Sequence, residues 1–262
     1  MEIAAAGRAL FAATGGRDFD PALPCAVFIH GAGMDHTVWA LQTRWFAHHG
    51  RNVLALDLPG HGRSAGPGLR RIEDMADCVL AALAAAGAGR FALIGHSMGA
   101  LVALEAAARA GPALAGLALL GMTPRMPVHP DLLAAAEAGA HGAVELMVGW
   151  SLGRPAQLGG NDAPGLWLTG EALRLLERAP GSSLAADLAA CDAYRGALAA
   201  AGRVTAPTLL LLGGDDRMTP AAKAVDFARA FAAGRSEVLP RVGHMMMLED
   251  PMRTLAALRE VA

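Results

Sequence analysis

Apolar residues in this chain gather into short continuous runs, with polar and glycine-rich stretches between them. The runs Ala26–His30, Val53–Asp57, Phe91–Gly95, Gly116–Gly121, Thr208–Gly213 and Ser236–Pro240 are mostly unbroken by polar positions. That pattern predicts parallel strands covered on both faces, because a sheet with one wet face would alternate. Helical stretches fall between them, at Ile72–Ala86, Ala100–Arg109 and Pro220–Ala233. Strand alternating with helix predicts an α/β fold with a mostly parallel central sheet flanked by helices. The first ~20 residues, punctuated by Gly7 and Gly15-Gly16, suit a short antiparallel hairpin at the sheet edge.

The alternation stops between Thr123 and Gly202. Helix-like pieces (Pro130–Ala138, Ala143–Gly149, Glu171–Glu177, Ser183–Ala199) follow one another there, separated by Pro and Gly, with no strong strand. So long a segment between two sheet strands exceeds an ordinary loop. We expect residues 123–202 to form a helical cap over the C-terminal edge of the sheet, where open α/β sheets place ligands, with 1–122 and 203–262 as the core. The alternative is a set of extra helices packed beside the sheet. No internal repeat is evident.

The 262 residues suit one domain with an insertion; 54% are hydrophobic and 18% charged, a globular composition. A net charge of −2 gives no electrostatic footprint for nucleic acid or an anionic membrane. Mean hydropathy is +0.36, yet no run reaches the ~18 apolar residues of a membrane span. Met1-Glu2-Ile3-Ala4 lacks the basic-then-apolar order of a signal peptide. Cys25, Cys78 and Cys191 are isolated, which fits reduced thiols of a cytoplasmic protein better than a disulfide framework or a zinc site.

Candidate chemistry begins at Gly95-His96-Ser97-Met98-Gly99, between a predicted strand and a predicted helix. A serine that attacks a carbonyl must protrude from a sharp strand-to-helix turn, and glycines two residues on either side remove the side chains that would clash. The Met98 amide, at a helix N-terminus, can donate to a developing oxyanion. A serine hydroxyl needs a base and a group that orients the base. Of nine histidines, His244 stands out, because Gly243-His244 follows the last predicted strand and precedes a C-terminal helix. The acid falls in Gly213-Gly214-Asp215-Asp216-Arg217-Met218-Thr219-Pro220, where two adjacent carboxylates compete and one could instead cap a helix or pair with Arg217. His30-Gly31-Ala32-Gly33, after the first central strand, offers small residues and the Ala32 amide as a second oxyanion donor.

Taken together, HGAG at 30–33, DLPGHGRS at 57–64, GHSMG at 95–99, GGDDRMTP at 213–220 and GHMMMLEDP at 243–251 resemble the α/β-hydrolase superfamily in order and spacing. The resemblance covers nearly all the chain outside the expected cap. It implies Ser97 as nucleophile, His244 as base and, through the family's G-x-x-D-x-x-x-P pattern from Gly213 to Pro220, Asp216 as the triad acid. It implies an oxyanion hole of the Met98 and Ala32 amides, and a structural turn at Asp57–Ser64. Serine at position 97 separates the chain from haloalkane dehalogenases and epoxide hydrolases of this fold, which use aspartate there. The implied activity is a serine carboxylic ester hydrolase working through an acyl-enzyme, with no cofactor and no metal. Rivals are an enol-lactone or C–C ring-cleavage-product hydrolase, a cofactor-free haloperoxidase and a non-catalytic hydrolase-fold receptor. The expected partner is a small-molecule ester, the expected state a monomer or homodimer.

For the substrate pocket we single out Met34, Met122, Met147, Trp150, Trp167, Tyr194 and Met245, which flank the motifs or lie in the expected cap. Met245-Met246-Met247 could line an apolar acyl pocket, since methionine adapts to irregular shapes. Arg125, Arg154 and Arg195 could meet a substrate carboxylate, although sequence does not place them. The balance favours a small to medium, largely apolar ester.

Overall fold

The computed structural model describes residues 1–160, 166–180 and 183–262. An eight-stranded sheet runs through the middle in the order β1-β2-β4-β3-β5-β6-β7-β8. β1 (Glu2–Ala5) and β2 (Arg8–Ala13) form an antiparallel edge hairpin, turned by Ala6 and Gly7, both at positive φ. Two positive-φ residues in a two-residue loop match the twist of the flanking strands. β2 pairs antiparallel with β4 (Asn52–Leu56). From there β3 (Cys25–Ile29), β5 (Phe91–His96), β6 (Leu114–Leu120), β7 (Thr208–Gly213) and β8 (Gly234–Leu239) are all parallel.

Every residue of β3, β4, β5 and β7 is buried, which is why those segments read as continuous apolar runs. β8 is the far edge and buries only Leu239 fully, and its Arg235 and Glu237 discourage pairing with another sheet. Helices α1 (Ala40–Ala47), α2 (Ile72–Ala86) and α3 (Met98–Ala110) join the first strands. α2 buries Ile72, Met75, Ala76, Val79, Ala82 and Leu83, an i, i+3, i+4, i+7 stripe, and stops at Gly87 in the left-handed region. α3 is buried at every position from Met98 to Ala107.

Between β6 and β7 lie α4 (Pro130–Glu137), α5 (Gly142–Ser151), α6 (Arg154–Gln157), α7 (Leu168–Glu177), α8 (Ser183–Ala193) and α9 (Ala197–Ala201), with no strand among the described residues. Residues 161–165 and 181–182 of the expected cap lie outside the described residues. The single helical piece expected over Ser183–Ala199 is two helices. Tyr194 turns its ring inward beneath Gly196, where a Cβ would stand 2.8 Å from the phenol oxygen. That phenol donates to Glu105 of α3 at 2.5 Å, and Arg109 donates to the same carboxylate at 2.7 Å.

After β8 come α10 (Met246–Glu249) and α11 (Pro251–Leu258). The α-helix expected over Pro220–Ala233 is absent. Two 3-10 segments, Ala221–Lys223 and Val225–Ala230, stand there instead, with bonds such as Phe227 N–H to Ala224 O. Val225, Asp226 and Phe227 are weak helix formers, and the buried Phe227 and Phe231 rings, 5.2 Å apart, fix the chain to the core.

Tyr194→Phe should lower stability by about 1.5–3 kcal/mol, because a buried carboxylate loses a donor. Urea unfolding will show a lower midpoint with an unchanged slope.

Candidate active site

Ser97 leaves β5 and starts α3 at φ 55°, ψ −119°, a backbone conformation that a residue with a side chain rarely adopts. Such strain costs about 1–3 kcal/mol and persists only where the surroundings over-determine it. Here the Ser97 N–H donates to Leu120 O at 2.8 Å, and Ser97 O accepts from the Ala100 N–H at 2.9 Å. The flanking glycines are sterically required. A Cβ on Gly95 would stand 2.1 Å from Gly99 O, and one on Gly99 would stand 2.3 Å from Ile29 O.

Across the strand ends, His244 Nδ1 lies 2.7 Å from Asp216 Oδ2. Asp216 Oδ1 accepts from the Met218 and Thr219 amides, both at 2.8 Å, and Oδ2 accepts from the Thr219 hydroxyl at 2.7 Å. Burial alone would raise the Asp216 carboxyl, but the charge and hydrogen bond of His244 and the Thr219 donors outweigh it and hold the pKa at about 2. Asp215, its neighbour, is exposed, and its main-chain N–H donates to Val242 O. His244 Nε2 is buried and has no hydrogen-bond partner, so it is not bonded to Ser97 Oγ in this structure. Catalytic hydrogen bonds often tighten only around substrate.

The His244 main chain is held from several sides. Its N–H donates to Ser151 O at the end of α5 at 2.6 Å, and its carbonyl accepts from His96 Nε2 at 2.9 Å. Burial, and then the charge of His244, push the His96 pKa well down, so that ring is neutral. Glu249 brackets His244. Its Oε2 accepts from the Gly153 and Gly243 amides at 2.9 and 3.0 Å, and its Oε1 from the Met245 amide at 3.1 Å. Burial raises the Glu249 pKa despite these donors.

The loop after β3 lies against the serine. A Cβ on Gly31 would stand 3.3 Å from Ser97 Cβ. Ala32 shares a cavity wall with Ser97, and Met98, first in α3, has no preceding helical turn to receive its N–H. The Gly33 amide donates to Asp187 of α8 at 2.8 Å. The same Asp187 oxygen lies 2.7 Å from His61 Nε2, while His61 Nδ1 is 3.1 Å from Pro59 O. Both ring nitrogens of His61 therefore face acceptors, the arrangement of an imidazolium. Burial would lower the His61 pKa, but the hydrogen bond and charge of Asp187 raise it overall. His30, 4.8 Å from that ring, is pushed down to about 4, by burial first and then by the charge of His61. Asp57 closes the same turn: it accepts from the His36 and Arg63 amides at 2.8 Å, and a Cβ on Gly62 would stand 2.3 Å from its Oδ2.

Ser97 opens into a cavity of about 620 Å³, within the range of small-molecule sites. Met147 and Trp150 line it, joined by Met126, Val128, Leu132, Leu188, Cys191, Met218 and Thr219. Arg217 and Lys223 line it as well. Met34, Met122 and Met245 are buried outside that lining, Tyr194 is engaged with Glu105, and Trp167 is 66% exposed. Arg195 lines a separate concavity with Arg70 and Arg71. Thr219, Glu249 and Asp187 escaped the sequence reading. Thr219 lay inside a quoted motif, whereas Asp187 is 154 positions from the amide it holds, a pairing with no local signal.

A mostly parallel sheet with a serine elbow, an acid and a histidine at the ends of successive strands defines the α/β-hydrolase fold. The chain matches the model of the alpha/beta hydrolase family over residues 26–258 and belongs to that family. It is 40% identical over 121 residues to a pimeloyl-[acyl-carrier protein] methyl ester esterase of Methylococcus capsulatus, covering 46% of this chain and 44% of that protein. It is 38% identical over 104 residues to a 2-succinyl-6-hydroxy-2,4-cyclohexadiene-1-carboxylate synthase of Salmonella paratyphi C, covering 40% of each. The chain thus spans less than half the length of these curated relatives. In fold it is similar to a thermophilic esterase from Thermogutta terrifontis, with 24% identity, TM-score 0.84, and 99% and 96% of the two chains covered. It is also similar to an enol-lactonase from Burkholderia xenovorans LB400, with 21% identity, TM-score 0.88, and 100% and 99% covered. Among the described residues no helix is long and apolar enough to cross a membrane.

Gly99→Ala should destabilise the protein by about 3 kcal/mol or more, since its Cβ meets main-chain oxygen that cannot swing away; urea unfolding measures this. Asp187→Asn should cost roughly 3–5 kcal/mol near neutrality, because His61 is left without its buried counter-ion. A raised histidine pKa stabilises fully below the unfolded value of ~6.5 and loses that contribution as pH rises through the folded value. The stability gap between wild type and Asp187→Asn should therefore be widest at mildly acidic pH and narrow in alkali.

Proposed function

We propose that this protein is a serine hydrolase that cleaves a carboxylic ester, with Ser97 as nucleophile, His244 as base, Asp216 as its orienting acid, and the Met98 and Ala32 amides as the oxyanion hole. The helices of residues 123–202 act as a cap over the site. The observation that carries the reading is the 2.7 Å contact between Asp216 and His244 Nδ1 beside a His244 Nε2 that is buried without a partner. With Nδ1–H given to Asp216, the Nε2 lone pair is the open basic position.

In this mechanism Nε2 takes the hydroxyl proton as Ser97 Oγ attacks the ester carbonyl. Asp216 stays anionic, its pKa near 2, and stabilises the resulting imidazolium. The oxyanion of the tetrahedral intermediate accepts from the two amides. Nε2 then returns the proton to the departing alkoxide, and the alcohol leaves. Water, deprotonated by the same nitrogen, attacks the acyl-enzyme; as the acyl–Oγ bond breaks, Nε2 returns that proton to Ser97 Oγ and the acid leaves. His96, being neutral and buried, adds no second positive charge behind the base.

Relatives named as a methyl ester esterase, a thermophilic esterase and an enol-lactonase support ester chemistry in particular, since an enol-lactone is itself an ester. Met126, Leu132, Met147, Trp150 and Leu188 in the cavity wall favour a small to medium, largely apolar substrate.

Hydrolysis of 4-nitrophenyl esters of graded acyl length tests the proposal. Ser97→Ala should lower kcat/KM by at least ~10³-fold, and Asp216→Asn by about 10²–10⁴-fold, mostly through kcat. Folded wild-type protein without Ser97-dependent turnover of any ester would overturn it.

A further inference from the structure

Among the described residues, the wall of the Ser97 cavity contains two cations, Arg217 and Lys223, and no acid. Arg217 directly follows the aspartate that holds His244, and Lys223 follows six residues further on. Both are exposed, whereas Leu132, Met147 and Leu188 of the same wall are buried, so the charge sits on the solvent side of an apolar chamber. Among the described residues no carboxylate comes within 4 Å of either group. Arg217 makes one long contact, from Nη1 to Gly149 O at 3.4 Å. The acids nearest in sequence do not help: Asp215 is outside the lining, and Asp226 pairs with Arg229 at 3.0 Å. Elsewhere on the surface arginines do find partners, as Arg174 does in Glu177 and Arg235 in Glu260. In a chain of net charge −2, a cavity rim that carries two cations and, among the described residues, no acid is a local reversal.

We infer that the ester this site hydrolyses also carries a carboxylate, seated at the rim on Arg217 and Lys223 while the rest of the substrate lies against the apolar wall and its carbonyl reaches Ser97. Guanidinium offers a carboxylate a planar two-point contact and ammonium a mobile third donor, and apolar walls beside them reduce the screening that weakens such pairs in open water. The rim charge acts on binding, because it meets a group remote from the bond being broken. This rests on the ester-hydrolase reading above and narrows it to anionic esters.

The test uses two matched pairs. In the first, the anion is in the acyl half: the mono-4-nitrophenyl ester of glutaric acid against its primary amide. In the second, it is in the alcohol half: 4-(butanoyloxy)benzoate against 4-(butanoyloxy)benzamide. Wild-type enzyme at low ionic strength should favour the carboxylate member of at least one pair by about tenfold or more in kcat/KM, chiefly through KM, with the preference shrinking in high salt. In Arg217→Ala/Lys223→Ala the carboxylate-to-amide ratio should fall to about one or below, with Arg217→Lys in between. Equal or better use of both amides by wild type, or a preference that survives in the double variant, would overturn the inference. Titration calorimetry of the same compounds on Ser97→Ala separates it from the parent reading. Tighter binding of the carboxylate, lost in the triple variant, upholds the anion site even if wild type turns over neither ester. Ser97-dependent turnover without any carboxylate preference upholds the hydrolase and removes the anion site.

Discussion

Everything at this site depends on how closely α3 is drawn against the ends of β3 and β5. Gly99 has its Cα against Ile29 and His30 carbonyl oxygens, and Gly95 faces Gly99, so three main-chain segments meet where a single methyl group would not fit. That contact forces the turn to be sharp. The sharp turn puts Ser97 at positive φ, leaves the Met98 amide at the head of a helix and brings Ala32 onto the same cavity wall. The strain at Ser97 is thus a by-product of close packing, maintained by a sheet whose central strands are wholly buried.

A second layer of organisation links the helical segment after β6 to the sheet. Three acids make the joints, two of them buried and Glu249 half-buried. Glu105 of α3 receives Tyr194, Asp187 of α8 receives Gly33 and His61, and Glu249 of α10 receives the amides of Gly153, Gly243 and Met245. Each carboxylate is engaged by several donors, the condition under which a buried charge is tolerated. Two of the three touch loops that flank the serine or the histidine. The helices between β6 and β7 are therefore fastened to the same main-chain stretches on which the proposed chemistry would run.

The sheet was readable from sequence because a strand buried on both faces has no freedom to alternate, and the elbow because its glycines answer a local steric demand. Chain segments whose form depends on distant partners were not. Pro220–Ala233 is rich in alanine, yet the weak helix formers at Val225–Phe227 and the anchoring of Phe227 and Phe231 leave it in 3-10 turns. Asp187 carries no local mark, since the amide it holds lies 154 positions away, and Glu249, although inside a quoted motif, also holds the distant Gly153 amide. The cavity wall was partly legible: Met147 and Trp150 line it, but Met34, Met122 and Met245 are buried beside it, and in an alanine-rich helix a residue facing a cavity looks the same as one facing the core. Arg217 lies inside a quoted motif and Lys223 just beyond it, and only the folded chain brings them to the rim.

α5 has two engagements at once. Met147 and Trp150 face the cavity, and the carbonyl of Ser151, the last residue of the helix, holds the main-chain amide of His244. Whatever presses on the first two pulls on the third. On the proposed hydrolase reading, fit and proton transfer would then be coupled mechanically: an ester that wedged α5 aside would be held firmly and still be processed slowly, because the imidazole would move with the wall. Discrimination between substrates of different bulk would accordingly be written into turnover more than into affinity.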